Sequence, residues 1–296
     1  MTKTLSIKDS NSPGATCASR RLALSAGVLF AASAFAVSTS VIAETGSEDP
    51  HAAGLALAQR MFDRPSGRDL AVRATMVLVE PEHDPRVREY YMFNYDQGDD
   101  LRSLMRFSSP PDVAGVGLLV HNHPTGGSEQ WLFLPVGERV RRISPARRGG
   151  RFVASDLYYE DLQDRRPEMD RHKLKGETEL NGTKTLVLES IPVDSSNSVY
   201  SKRVTWVHPT TLLPLRIDFY EEGRDEPSKR WETHRIERIQ SYWTNMDFSV
   251  TDLRTGHQSR LTVKDIVYDQ DIPLSFFTEP TLLDSELEVQ YRPPAQ

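Results

Sequence analysis

Residues 129–162 read EQWLFLPVGERVRRISPARRGGRFVASDLYYEDL, and the fold turns on this stretch. Trp131 to Leu134 is a short apolar strand candidate that stops at Pro135. The chain turns through Gly137 and resumes as Arg139 to Ile143. A basic loop with a Gly149-Gly150 pair follows, and then an aromatic and acidic segment, Ser155 to Leu162. Short apolar runs bounded by proline and glycine are the mark of strands, since a helix would need a longer uninterrupted period of 3.6.

Outward from this stretch the period of two recurs. Val72 to Val79 alternates Thr75, Val77 and Val79 with Ala74, Met76 and Leu78. Glu89 to Tyr95 places Tyr91, Phe93 and Tyr95 on one side, and Leu101 to Phe107 follows the turn residues Gly98, Asp99 and Asp100. Further candidates are Gly117 to Val120, Thr183 to Ile191, Lys202 to Val207, Leu215 to Tyr220, Lys229 to Ile239, Tyr242 to Val250 and Ser259 to Tyr268. Asn181-Gly182, just ahead of one of these, is a strong hairpin signal. His51 to Phe62, with Leu55, Ala58, Met61 and Phe62 at helical spacing, predicts one amphipathic helix, ended by Pro65-Ser66-Gly67. Roughly ten short strands with few helices predict a mainly β protein built on a single antiparallel sheet, closed or half-closed. A second short helix or turn is expected near Ser155 to Leu162, and Arg292 to Gln296 reads as a frayed tail.

The first 43 residues have the pattern of an export signal. Lys3, Lys8, Arg20 and Arg21 make a positive leader, Leu22 to Ala36 is apolar but short, and Val41-Ile42-Ala43 ends on a small residue. Cleavage near Ala43 would leave one domain, residues 44–296, in the periplasm. Ser19-Arg20-Arg21-Leu22 partly matches a twin-arginine signal, and the Sec route fits equally. The only cysteine, Cys17, lies in this leader, so the remainder has no disulfide, thiolate metal site or cysteine nucleophile. The whole chain carries −6, and the basic leader leaves the rest more acidic still. Such a charge favours solubility and argues against nucleic acid as a partner.

Four constellations carry possible chemistry. His121-Asn122-His123-Pro124 resembles the paired histidines of JAMM-type zinc hydrolases, and an exported metal-dependent hydrolase using His121 and His123 is the alternative function. Zinc needs three or four ligands, however, and the positions where that pattern carries serine and aspartate hold Trp131 and Leu134. No metal, cofactor or catalytic residue is expected on that count. Ser128, Ser144 and Ser155 have no recognisable base partner, and no GxSxG elbow exists. Six arginines fall between Arg139 and Arg151. They are either a charged sheet edge or a patch, centred on Arg141, Arg142, Arg147 and Arg148, that docks anionic head groups or an acidic partner. Lastly, Trp131 and Phe133 share one face of their strand, as do Val204 with Trp206, and Leu215 with Ile217 and Phe219. With so few helices, one sheet face would stay partly uncovered and form an apolar cavity. Trp131, Phe133, Trp206, Phe219 and Phe93 are the expected lining.

Several dispersed segments resemble, in order, the LolA-like family of outer-membrane lipoprotein-sorting proteins. They are FSSPPDVAGVGLLV at 107–120, Trp131 to Pro135, Arg141-Arg142-Ile143, Ser155-Asp156 through Tyr159 to Leu162, Lys202 to His208 with Pro214, and Ile272-Pro273 with Phe276-Phe277-Thr278. The resemblance spans roughly residues 69–281. It implies a strongly curved sheet, a half-open β-barrel of the LolA and LppX type. It also implies a periplasmic, non-enzymatic carrier of lipid or lipoprotein acyl chains, working towards the outer membrane with an RND-type (MMPL) inner-membrane transporter.

Overall fold

The structure, a computed structural model, describes residues 5–9 and 49–294. Most of the expected leader therefore lies outside the described residues. The part inside them, β1 (Ser6–Asp9), runs parallel to a later strand. Helix α1 (Pro50–Phe62) begins at Asp49, whose carboxylate accepts the backbone N–H of His51 at 3.0 Å, with Pro50 at the position where a missing N–H costs nothing. Then come β2 (Asp69–Val79), β3 (Arg86–Gln97), β4 (Asp100–Ser109), β5 (Gly117–Asn122), β6 (Ser128–Leu134) and β7 (Arg139–Arg142). After a long connection follow β8 (Asp170–Leu180), β9 (Thr183–Pro192), β10 (Lys202–Val207), β11 (Pro214–Tyr220), β12 (Lys229–Ile239), β13 (Tyr242–Asp252) and β14 (Gln258–Tyr268). Helix α2 (Glu279–Leu283) and a 3-10 turn over Ser285–Tyr291 close the described chain. None of the described helices is long and apolar enough to cross a membrane.

All the strands share one sheet, in the order β7-β6-β5-β4-β3-β2-β14-β13-β12-β11-β10-β9-β8, with β1 beside β12. Apart from β1, every pairing is antiparallel. The fold is mainly β, one open antiparallel sheet with few helices, as expected from the period of two. The strand count is higher than ten, and β1 and β8 are the two strands that no candidate covered. Arg171, Lys173, Lys175, Glu177 and Glu179 make β8 a charged edge strand, blunted against further pairing. Gly176, at φ 108°, sits where the register with β9 slips. The hairpin at Asn181-Gly182 is present, with Leu180 opposite Thr183 and both turn residues at positive φ.

This strand order dictates the rest of the architecture. The chain meanders from the middle of the sheet out to β7, yet resumes at β8, the opposite edge. Residues 143–169 must therefore cross the molecule, and they do so on one face, where Phe152 and Leu157 pack with Val72, Met76, Phe107 and Val120. We call this crossing segment the strap and this face the inner face. The other, outer face is covered by the C-terminal segment: Ile272, Phe276, Phe277 and Leu282 bury Ala71, Phe93, Leu104, Leu119 and Phe133. That cover is pinned by a buried ion pair, Arg106 Nε to Glu288 Oε2 at 2.8 Å, with Arg106 also donating to the carbonyl of Thr281 at 2.7 Å. Helix α1 packs against β8 and β9, with Leu57 and Ala58 on Leu188 and Val207. Close approach there needs Gly54, where an added Cβ would lie 2.7 Å from the backbone N of Lys173.

Candidate functional site

Between the inner face and the strap lies a cavity of about 480 Å³. Residues alternating on β2 to β5 build one wall: Leu70, Val72, Tyr90, Met92, Met105, Leu118 and Val120. Trp231, Phe248, Leu261, Val263 and Ile266, from β12 to β14, build the facing wall. On a flat sheet β5 and β12 would stand six strand steps apart, roughly 29 Å. Their meeting in one cavity measures how strongly the sheet curls. Leu157 and Leu162 of the strap supply the roof, and Met61 and Phe62 from the end of α1 the rim. The volume falls within the range typical of small-molecule sites, roughly 300–1,000 Å³, which are likewise mostly apolar with a few polar groups.

Asn94, Asp161, Thr244 and Asn245 are polar members of the lining, and a further polar cluster, Arg64, Ser66, Asp96, Arg102 and Asp164, adjoins the rim at Met61 and Phe62 and forms the mouth. Ser66 donates to Asp96 at 2.5 Å, and Asn122 Nδ2 donates to Asp164 Oδ2 at 3.0 Å. Arg102 ion-pairs with Asp100 at 3.2 Å. Burial raises the proton affinity of Asp164, the charge of Asp96 adds to this, and Arg64 and Arg166 oppose it. Arg64 lines the same mouth and makes no hydrogen bond or ion pair with any described residue. Desolvation lowers its pKa despite the charges of Asp164 and Asp96 nearby.

The strap is held by charge. Asp161 accepts the Tyr200 hydroxyl at 2.7 Å and the buried Lys229 ammonium, which also lies 3.7 Å from the ring centre of Tyr158. Glu160 accepts the Ser198 hydroxyl at 2.5 Å and the Val199 N–H at 2.7 Å. Asp156 accepts from His257 Nδ1 at 2.5 Å and from Ser259 Oγ at 2.8 Å. This last trio contains the side chains of a catalytic triad in the wrong order: the hydroxyl points to the carboxylate, leaving the imidazole no nucleophile to activate. It is a clamp between strap and β14.

The five aromatic residues expected to line the cavity lie elsewhere. Phe93, Phe133 and Trp131 are brought together, but on the outer face beneath the C-terminal segment. Phe219 packs with Tyr158 and Tyr200 where the strap meets β11. Trp206 faces away from its buried neighbours Thr205 and Val207, with the Arg216 guanidinium 4.5 Å above its ring. The expectation of an apolar cavity thus meets a different set of residues. Strand alternation identifies two faces but not which of them the C-terminal segment will cover. The inner-face partners Tyr90 and Met92 sit one position away from the aromatic trio that drew attention, and Trp231 and Phe248 carried the same unassigned signal.

The paired histidines do not converge. His121 Nε2 donates to the Phe277 carbonyl at 2.8 Å, while its ring meets Trp131 edge-on. His123 lies 3.4 Å from Glu129. Burial lowers the pKa of His121, an effect the Phe277 carbonyl opposes. Among the described residues no three His, Cys, Asp or Glu side chains gather as a metal ion requires. Of the arginine patch, Arg142 pairs with Glu129 and Arg148 Nη1 donates to the Ser196 carbonyl at 2.6 Å. Arg141 and Arg147 are exposed.

Residues 99–284 match the model of a family whose description is "Uncharacterized protein". No curated protein matches the chain. Two solved structures are each 29% identical with a TM-score of 0.75, and each covers 79% of this chain and 100% of its own. One is a domain from Vibrio parahaemolyticus assigned to outer membrane lipoprotein sorting, and the other is a DUF1329 family protein from Desulfovibrio piger. A LolA superfamily protein from Nitrosomonas europaea, 19% identical over 79% of this chain and 100% of its own, has a TM-score of 0.61 and shares the fold.

Proposed function

We propose, on the premise that this chain belongs to the LolA-like family of lipoprotein-sorting proteins, that it is a periplasmic carrier which shelters the acyl chains of a lipid or lipoprotein. The observation that carries this reading is the inner cavity of about 480 Å³, roofed by the strap, whose facing walls are largely apolar and whose charged residues Arg64, Asp96, Arg102 and Asp164 cluster near the end of α1. An acyl chain entering it would gain about 0.8 kcal/mol for each methylene buried, while the mouth leaves a head group in reach of water. A carrier needs no reacting group, and the clustered side chains described above are clamps rather than chemistry. Cargo would be passed towards the outer membrane, received from an RND-type (MMPL) inner-membrane transporter. The exposed arginines Arg141 and Arg147, with Arg142 and Arg148 beside them, form the surface that docks anionic head groups or an acidic partner.

The test is organic extraction and mass spectrometry of the protein after export to a bacterial periplasm and purification without detergent. Acyl lipid at near-stoichiometric amounts supports the carrier. Protein that leaves the periplasm free of lipid, and takes none up on incubation with membranes, refutes it.

A further inference from the structure

Among the charged side chains that line the cavity, Arg64 differs from the rest. Asp96 already holds the Ser66 hydroxyl, Asp164 holds the Asn122 amide, and Arg102 is paired with Asp100. Arg64 has no such partner among the described residues, although it stands at the mouth with its guanidinium partly desolvated. A guanidinium offers five N–H donors in a planar fork, and a carboxylate or phosphate is the group that fills that fork. Its position matters as much as its vacancy. Arg64 follows α1 directly and sits where the apolar walls of Leu70 and Met92 give way to the polar mouth.

We propose that the cavity selects an amphiphile with a single anionic head, carboxylate or phosphate, whose charge is held by Arg64 while its chain lies along the inner face. This rests on the carrier reading and narrows its cargo. The nearby carboxylates do not prevent it. Each has a donor of its own, and burial together with the charge of Asp96 makes Asp164 easier to protonate, which weakens repulsion of an incoming anion. Asn94, on the wall between Leu70 and Met92, has a buried amide oxygen without a partner and can accept from a hydroxyl on the same head group.

The experiment is displacement of a fluorescent fatty-acid probe by decanoate, decyl phosphate and decanol, which share one chain and differ in the head. Wild-type protein should bind at least one of the two anions about tenfold or more tightly than decanol, as expected for a charge-assisted hydrogen bond. The choice between decanoate and decyl phosphate then identifies the head group. Arg64→Gln should remove the preference while leaving decanol binding and thermal unfolding unchanged. Equal binding of all three ligands by wild type, or a preference for the anions that survives in Arg64→Gln, overturns the proposal and leaves the carrier intact. Failure of every ligand, decanol and probe included, overturns both.

Discussion

Lys229 is one of the residues that hold the strap. Its ammonium is buried against Asp161, among the rings of Tyr158, Tyr200 and Phe219. A buried pair of this kind adds little net stability when intact, but removing one partner strands the other charge, at a cost of about 3–5 kcal/mol. Lys229→Met is therefore expected to lower the free energy of urea unfolding by about 3 kcal/mol. The double variant Lys229→Met/Asp161→Asn should recover part of that loss, whereas Arg142→Ala, at an exposed pair, should change stability by less than about 1 kcal/mol. His172 sets a second residue-scale expectation. Burial holds it below the ordinary histidine value of 6.5, with Arg203 and Arg165 acting in the same direction and the Pro167 carbonyl and Asp170 against it. Above 6.5 folded and unfolded chains both keep it neutral. As pH falls through that value the unfolded chain takes up the proton first, so stability declines toward the lower, folded-state value and then levels off. Unfolding midpoints should drop as pH falls below about 6.5 and level off below the lower, folded-state value. His172→Gln should flatten that decline, and an equal slope in the variant would assign it to other groups.

At the scale of elements, the hairpin of β6 and β7 and the arginine loop beyond it show what could be read ahead of the structure. Pro135, Gly137 and the alternation around them announced two paired strands, because turn chemistry and period are local properties. Asn181-Gly182 announced the turn into β9, while its partner β8, charged along its length, went unread. The strap was legible only as an odd run, Ser155 to Leu162, and its path follows from a long-range fact: β7 and β8 end up on opposite edges. Phe93 and Trp131 were visible as a face, yet the cover that claims them, residues 269–292, comes from the far end of the chain. Which face becomes the cavity is decided by that non-local contact. The arginine loop carries an element-scale prediction. If it docks anionic surfaces, Arg141→Glu with Arg147→Glu should abolish co-sedimentation with phosphatidylglycerol vesicles at low salt, and the wild type should ignore neutral vesicles. Because both residues are exposed, the double variant should unfold at the wild-type temperature. Identical sedimentation of variant and wild type would make the loop only a charged edge.

For the whole molecule, one open sheet has two faces to cover and uses two different means. The C-terminal segment seals the outer face with a packed core, including Phe277 at 0% exposure. The strap crosses the inner face and leaves space beneath it. A protein whose core needed only stability would fill that space, since an empty apolar cavity costs about 24 cal/mol per Å³ when made by truncation. The curl of the sheet, the roof and the polar mouth are consistent with space kept for cargo. Binding of a fluorescent fatty acid to wild type, to Leu70→Trp, which fills the cavity, and to Phe93→Leu, which alters only the outer core, tests this most directly. Saturable binding by wild type and Phe93→Leu, lost in a Leu70→Trp protein that still unfolds cooperatively, is the predicted result. Binding that Leu70→Trp leaves unchanged, or no saturable binding by wild type, would contradict the claim that the inner cavity carries an acyl chain.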